Sequence, residues 1–368
     1  MTRAFNGRHA RDGTRPRPTG GAACRCFVVL LLIACMAACR SEDEPHVVLY
    51  VSADEHVARE VITAFEAETG IRVRTVGDTE ARKTTGLAER LRAERGAPRA
   101  DVFWSSEIFM TIELADEGVL APLEIEEAAT WPSVFRDPEG RWFGFGARGR
   151  VIVFAPDRVD ADTRPATWTD LTQPVYRGRI VMADPRFGTT GGHLGAMKVH
   201  WDMQLPGFYE AFLLGLRDNE VRLLTSGNAG VVRAVAMGEA DVGLTDTDDV
   251  WAARAQGYDV DLVFPAHTHE PDPGNGTLLI PNTVARVAGG PNPEAAERLI
   301  RFLLSPENEG RLARSVSRNM PLRPGLAESF PETRIPDPLR IDYARAAAAR
   351  RDAIAEAMRI LAGPNDAR

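Results

Sequence analysis

The chain has 368 residues, of which 44% are hydrophobic and 26% charged, and its formal net charge is −8. That length and apolar content suffice for two lobes with sizeable cores and exclude a disordered protein. The acidity excludes a nucleic-acid partner, because phosphate binding needs a basic face. All four cysteines, Cys24, Cys26, Cys35 and Cys39, precede the folded body, which therefore has neither a disulfide nor a thiolate metal site.

The N-terminus reads as a targeting segment. Arg3, Arg8, Arg11, Arg15, Arg17 and Arg25 stand against the single Asp12, and the apolar run Phe27-Val-Val-Leu-Leu-Leu-Ile33 follows. Such a run suits a secretory signal and is too short for a permanent bilayer span. Removing residues 1–38 takes away six positive charges and one negative, moving the net charge from −8 to −13. Met36-Ala-Ala-Cys39, followed by polar Arg40-Ser-Glu-Asp-Glu44, resembles a bacterial lipoprotein cleavage box with Cys39 as the lipidated residue. Leu32-Ile-Ala-Cys35 fits the same box, and plain secretion with incidental cysteines is the alternative. The expectation is a signal peptide over 1–38, a tether over 39–45, and export to the periplasm or cell surface on a lipid anchor.

From Pro45 the chain alternates strands and helices. Residues 46–51 form a short apolar run suited to a strand buried on both faces. Residues 54–69 carry Val57, Val61, Ala64 and Phe65 on one helical face and stop at Gly70. Strands are predicted over 71–76 and 101–104, with helices over 87–94 and 108–116. This βαβαβα order implies a mostly parallel sheet flanked by helices. Further on, 150–155, 179–183 and 242–245 read as strands and 191–201 and 207–216 as helices, and 262–265 closes that half. The loop 265–276 leads to the apolar run 277–280, then a helix over 293–304 and a tail helix over 343–361.

Three stretches carry candidate chemistry. Gly238-Glu-Ala-Asp-Val-Gly-Leu-Thr-Asp-Thr-Asp-Asp-Val-Trp251 reads as a helix end, a buried strand and an acidic turn opening a new helix. Residues past the carboxyl end of a strand in an open α/β sheet face the ligand crevice, which marks Asp246, Asp248 and Asp249. Carboxylates in a first helical turn also stabilise that helix by roughly 0.3–1 kcal/mol each without any ligand. Phe187-Gly-Thr-Thr-Gly-Gly192 offers hydroxyls and open backbone N–H groups where a helix begins, so Thr189, Thr190, Gly191 and Gly192 form a candidate anion receptor. Arg148 and Arg150 can add fork-shaped donors there, the alternative being a plain glycine turn and solvated arginines. Gly144-Phe-Gly-Ala-Arg-Gly149 matches the dinucleotide fingerprint in letters but follows no clear strand and precedes a strand instead of a helix. His267 and His269 read as a solvated pair in a proline-rich loop, and the acidic turn lacks the glycine and glutamate of a calcium loop.

The chain resembles the periplasmic solute-binding proteins of ATP-driven importers, and within them the ferric-iron-binding group. The residues that carry the resemblance are Tyr50-Val-Ser-Ala-Asp-Glu-His56, Phe65-Glu-Ala-Glu-Thr-Gly-Ile-Arg-Val73, Arg99-Ala-Asp-Val-Phe-Trp104, Gly149-Arg-Val-Ile-Val-Phe154, Gly178-Arg-Ile180, the acidic-turn stretch and residues 277–285. The resemblance implies a type II periplasmic-binding-protein fold of two α/β lobes, each a mostly parallel sheet flanked by helices, with the ligand cleft between them. Lobe 1 would take 46–148 plus 276–330 and lobe 2 149–275, with a helical tail, 331–368, packing on lobe 2. It also implies a metal site in which Asp248 and Asp249 stand where ferric-binding members have adjacent tyrosines. His56, with its neighbour Glu55, matches a histidine ligand, and Ser106 or Glu107 a glutamate ligand. Thr189 to Gly192 match the site of an accompanying anion.

The function implied is capture of a small solute, a metal ion with its anion, and delivery to a membrane permease by a monomer. No cofactor is expected, and ferric iron or another metal enters as cargo. Phenolate is the stronger and more selective donor for ferric ion, so the paired carboxylates leave the metal open. An organic phosphate or carboxylate is the alternative ligand, and an exported metal-dependent hydrolase using the same acids and His56 is the alternative of another class.

Overall fold

A computed structural model describes residues 44–77, 83–269 and 273–362. Residues 45–368 form one of two compact units, and everything below concerns that unit. The signal segment, Cys35 and Cys39 lie outside the described residues.

The first half begins with β1 (His46–Val51), α1 (Glu55–Thr69), β2 (Arg72–Val76), α2 (Lys83–Ala93), β3 (Val102–Ser105) and α3 (Phe109–Asp116). Gly70 ends α1 at φ +69°, the left-handed cap that its position required. β1 pairs in parallel with β2 and with β3, as the βαβαβα reading demanded. After the short β4 (Leu120–Ala121) the long β5 (Phe143–Phe154) is buried at every residue. β6 (Ile180–Ala183), α4 (Gly188–Gln204), α5 (Phe208–Asp218), β7 (Arg222–Leu224), α6 (Gly227–Ala236), β8 (Val242–Asp246), α7 (Thr247–Ala255) and β9 (Asp261–Val263) make the second half. The chain returns through β10 (Leu279–Val287), α8 (Pro293–Leu303) and α9 (Pro306–Arg314), and ends on α10 (Tyr343–Leu361).

The strand order is β2-β1-β3-β10-β5-β8-β6-β7. β5 is the joint. Its residues up to Gly149 pair with β10, and from Arg150, which faces Asp246, it pairs with β8. Because β10 and β5 run antiparallel to their neighbours, the sheet is mixed, where alternation alone predicted a mostly parallel one. Residues 143–149, given no element ahead of the strand read at 150–155, are the first half of β5. Its glycines hid the pattern: Gly146 sits at φ +53°, and a Cβ on Gly149 would lie 3.0 Å from Thr277 Cγ2.

Apolar layers cover both faces of each half. Leu49, Phe65, Phe145 and Leu299 pack on one face of the first, and Phe103, Phe109, Leu114 and Ile280 on the other. In the second, Met182, Trp201, Leu213 and Leu244 oppose Val151, Val181, Val231 and Val250. Each such side chain contributes roughly 1.5–3 kcal/mol when fully buried. The tail helix α10 packs on α4 and α5 and also reaches α3 of the first half. Arg350 on α10 donates to Glu113 on α3 at 2.7 and 3.1 Å, a mostly buried tie that apolar periodicity does not reveal.

Candidate functional site

β6, β7 and β8 are parallel neighbours, and each is followed by a helix whose first turn enters one cleft. This is the crevice at the carboxyl ends of strands that an open α/β sheet provides. The cleft encloses about 800 Å³ including the solvent at its mouth. Gly188 and Thr189 reach it from α4, Gly227 and Asn228 from α6, and Asp246, Asp248 and Asp249 from the start of α7. The opposite wall comes from the first half: Ala53, Asp54 and Val57 after β1, Thr84 on α2, Ser106 after β3, Asn282 on β10, and Ser317 and Asn319 after α9.

The three aspartates of the acidic turn have carboxylate oxygens within 4.8 Å of one another, yet they differ in standing. Asp246, the residue before α7, is 1% exposed. Its Oδ2 accepts from Thr189 Oγ1 (2.8 Å), Asn228 Nδ2 (2.9 Å) and Arg148 Nε (3.2 Å), and its Oδ1 from Arg150 Nη1 (3.0 Å). Burial alone would raise its pKa, but Arg150, Arg148 and these hydrogen bonds hold it below the usual carboxylate range. Arg148 is raised in turn: desolvation opposes its charge, and Asp248, Asp246 and Asp249 outweigh that penalty. Asp248, half-buried, lies 3.4 Å from Arg148 Nε, and Asp249 is within 3.4 Å of the Thr245 hydroxyl. Asp246 therefore organises the wall, while Asp248 and Asp249 present carboxylates to the cleft.

Charge decides what this cleft attracts. Its lining includes five aspartates, Asp54, Asp184, Asp246, Asp248 and Asp249, and one arginine, Arg148. Arg150 stands directly behind Asp246, and Arg186 pairs with Asp184. Five carboxylates against three guanidiniums leave two net negative charges, partly offset by helix N-termini. Asp248 and Asp249, with the hydroxyls and amide oxygens opposite, are hard oxygen donors, the kind that holds hard cations.

The structure brings together Asp246, Asp248, Asp249, Arg148, Thr189 and Ser106, and separates the rest. Glu55 and His56 are exposed on α1, where Glu55 pairs with Arg59, and the residues of that turn lining the cleft are Asp54 and Val57. The strand ends at Val51 and α1 begins at Glu55, so the first helical turn carries His56 away from the cleft. Glu107 is buried, and its carboxylate accepts from Phe109 N (2.7 Å) and Met110 N (3.0 Å), satisfying the start of α3. Burial pushes its pKa up to about 7 despite those bonds and the more distant Arg350.

The glycine-threonine turn is also reassigned. Thr190 is buried and accepts from Arg150 Nη2 at 2.9 Å. Gly191 and Gly192 lie inside α4, where they allow close approach of protein instead of a ligand. A Cβ on Gly191 would stand 2.4 Å from Pro185 O, and one on Gly192 2.0 Å from Phe109 Cδ2. His267 is not solvated. It is fully buried beside Trp168, His193 and Trp201, with Nδ1 2.8 Å from Gly276 O, and burial lowers its pKa to about 3. His269 is the exposed member of the pair, 3.0 Å from Asp170.

Sequence reasoning passed over Asn228, Asp184, Asn282 and Asn319. The signal for Asn228 was the polar turn 225–228, hidden because β7 is only three residues long. The signal for Asn282 was an asparagine inside an apolar strand. Its Nδ2 donates to Gly146 O (2.8 Å) and Asn319 Oδ1 (2.7 Å), at the shift of register next to Pro281.

The profile of the family described as bacterial extracellular solute-binding protein matches residues 47–315. The iron uptake protein A1 of Synechocystis sp. is 28% identical over 304 residues, covering 79% of this chain and 81% of that protein. Iron-bound HitA from Pseudomonas aeruginosa superposes with a TM-score of 0.70 at 25% identity, over 84% of this chain and 99% of its own. The periplasmic binding protein AfuA from Actinobacillus pleuropneumoniae, bound to exogenous fructose-6-phosphate, shares the fold at TM-score 0.70 and 19% identity, over 86% of this chain and 98% of its own. A shared fold leaves the ligand to be argued from the site. The matched span, the two-halved sheet and the interlobe cleft agree: the chain belongs to the bacterial extracellular solute-binding protein family.

Proposed function

We propose that the protein captures iron, or another hard metal ion, between its two halves and passes it to the permease of an ATP-driven importer. The observation that carries this reading is the pair Asp248 and Asp249, half-buried carboxylates aimed into an acidic cleft of a solute-binding fold. The names of two relatives, an iron uptake protein and an iron-bound binding protein, support the same cargo. An organic anion fits less well. Arg148, the arginine of the lining, is already engaged by Asp246 and Asp248, and the surrounding charge is negative. The family supports a binding role over the hydrolase reading. Export on a lipid anchor at Cys39, a monomeric state, and the absence of any resident cofactor complete the proposal.

The test is calorimetric titration and native mass spectrometry of the purified protein with ferric ion, presented as its nitrilotriacetate complex, and with ferrous ion. One ion per chain is expected, lost in the double variant Asp248→Asn/Asp249→Asn while the melting temperature of the ligand-free protein falls by less than about 4 °C, because Arg148 keeps Asp246 as its partner when Asp248 is neutralised. Equal affinity of parent and double variant for both ions refutes the assignment.

A further inference from the structure

Trp251 lies on α7, one turn past Asp248, and belongs to the second half. Arg318 follows α9 in the first half, where nearby Met320 exchanges backbone hydrogen bonds with Ala147 of β5 at 2.7 Å. Its two neighbours, Ser317 and Asn319, line the cleft. The Arg318 guanidinium stands 5.1 Å from the centroid of the Trp251 ring, within cation–π range. This contact therefore runs from one half to the other at the rim of the cargo site.

The backbone supports a built contact. Arg318 is an exposed residue at φ +45°, the left-handed region that non-glycine residues seldom occupy without compensation. The turn is held by Arg318 N donating to Ser315 O (3.1 Å) and Ser317 N to Ser315 Oγ (3.2 Å), and it delivers the guanidinium to the indole. Arg254 lies 5.4 Å from the same ring, but from within the same helix, and pairs with Asp261 at 2.8 Å. It is an internal control, equal in chemistry and unable to bridge the halves.

We propose that Arg318 and Trp251 form a cation–π latch across the mouth of the cleft, positioning residues that slow its opening and so set how long cargo is retained. The latch holds whatever the cargo, and only its consequence for retention rests on the function proposed above.

The experiment compares the parent with Arg318→Ala, Arg318→Gly, Arg318→Lys, Trp251→Leu and Arg254→Ala. Hydrogen exchange on the ligand-free chains reports opening at residues 315–319 and 247–252, and small-angle scattering reports compactness. Arg318→Ala, Arg318→Gly and Trp251→Leu should exchange about two- to five-fold faster in both segments, the factor that one exposed cation–π contact supplies. They should also scatter as more open particles, Arg318→Lys should fall between them and the parent, and Arg254→Ala should leave residues 315–319 at the parent rate. Unchanged exchange in Arg318→Ala and Trp251→Leu overturns the latch, as does an Arg318→Gly variant that closes more tightly than the parent, which would make backbone strain the dominant effect. A second arm loads ferric nitrilotriacetate and follows release to a chelator, where the latch variants should lose iron faster by the same factor. Failure of the parent to bind iron would count against the cargo assignment alone, since exchange and scattering still decide the latch.

Discussion

Replacing Arg150 by methionine should lower stability more than any change at the cleft surface. Arg150 is fully buried and donates to Asp246 (3.0 Å), Asn228 (3.0 Å), Thr190 (2.9 Å), Thr189 (3.3 Å) and His193 Nδ1 (3.3 Å). Removing one member of a buried ion pair costs about 3–5 kcal/mol, because the other charge stays buried. Here Asp246 keeps Arg148 at 3.2 Å, which places the loss near the lower end, about 3 kcal/mol. Unfolding entropy of roughly 2.1 cal/mol/K per residue over the unit of residues 45–368 gives about 0.7 kcal/mol/K, so the melting temperature should fall by about 4 °C. Thermal and urea unfolding of ligand-free protein measure this, with Asp246→Asn and the double variant completing a cycle. The double variant should fall short of the summed losses by about 1–3 kcal/mol, as directly coupled residues do. The folded pKa of Asp246 lies below its unfolded value, so the unfolded chain takes up the proton first as pH drops, and this contribution, present at neutral pH, fades through the acid range. A single variant within about 1 °C of the parent, or a strictly additive cycle, would refute the account of Asp246 as a scaffold.

Glu107 predicts the opposite pH trend. Its folded pKa of about 7 lies above its unfolded value, so the folded state holds the proton more tightly; stability is fully present below the unfolded pKa and falls as pH rises towards 7. Glu107→Gln should therefore flatten the decline in stability between pH 5 and 8, about 3 kcal/mol at most, in urea unfolding repeated across pH, and an unchanged slope would place the decline elsewhere. Gly192→Ala tests the reassigned turn, and Gly195→Ala the packing of α4 on α10 beyond it: a Cβ would meet the Phe109 ring at 2.0 Å and the backbone oxygen of Ala346 at 2.5 Å. Overpacking of this kind costs about 1–3 kcal/mol, and Gly195→Ala should be the worse, because a ring can swing aside more easily than α10 can shift. Equal melting temperatures for parent and Gly192→Ala would return Gly192 to the ligand.

Alternation of strand and helix was legible because period-2 and period-3.6 patterns are local, and the acidic turn was legible because its position after a buried strand follows from sheet topology. What escaped depends on partners distant in sequence. The strand reading began only at Arg150, while the pairing of β5 with β10 carries Gly144, Gly146 and Gly149 into the same strand. Gly191 and Gly192 looked like a ligand cradle because nothing local announces Phe109 or α10 as the neighbour. His56 failed through the phase of a helix, where one residue is a turn of about 100° and decides between cleft and solvent. Glu107 failed because a carboxylate after a strand serves a binding site and an uncapped helix start equally well, and only burial separates the two.

The same ambiguity explains why the acidic turn serves two purposes. The residue before α7 has extended backbone, φ −113° and ψ 158°, and still belongs to β8, so the Asp246 side chain points back among Arg148, Arg150 and Thr189. Two residues later the helix has begun, and Asp248 and Asp249 face the cleft with the helix dipole favouring their charge. An arginine pair beside them would ordinarily repel a cation. Because Asp246 engages both guanidiniums, its charge offsets much of that repulsion, so that Asp248, shared with Arg148 at 3.4 Å, and Asp249 still turn net negative charge toward the cargo. Neutralising Asp246 should accordingly weaken metal binding while Asp248 and Asp249 remain intact. Titration of Asp246→Asn with ferrous ion, at a temperature well below its melting point, checks this, and parent-like affinity would show that the arginines do not act on the cargo.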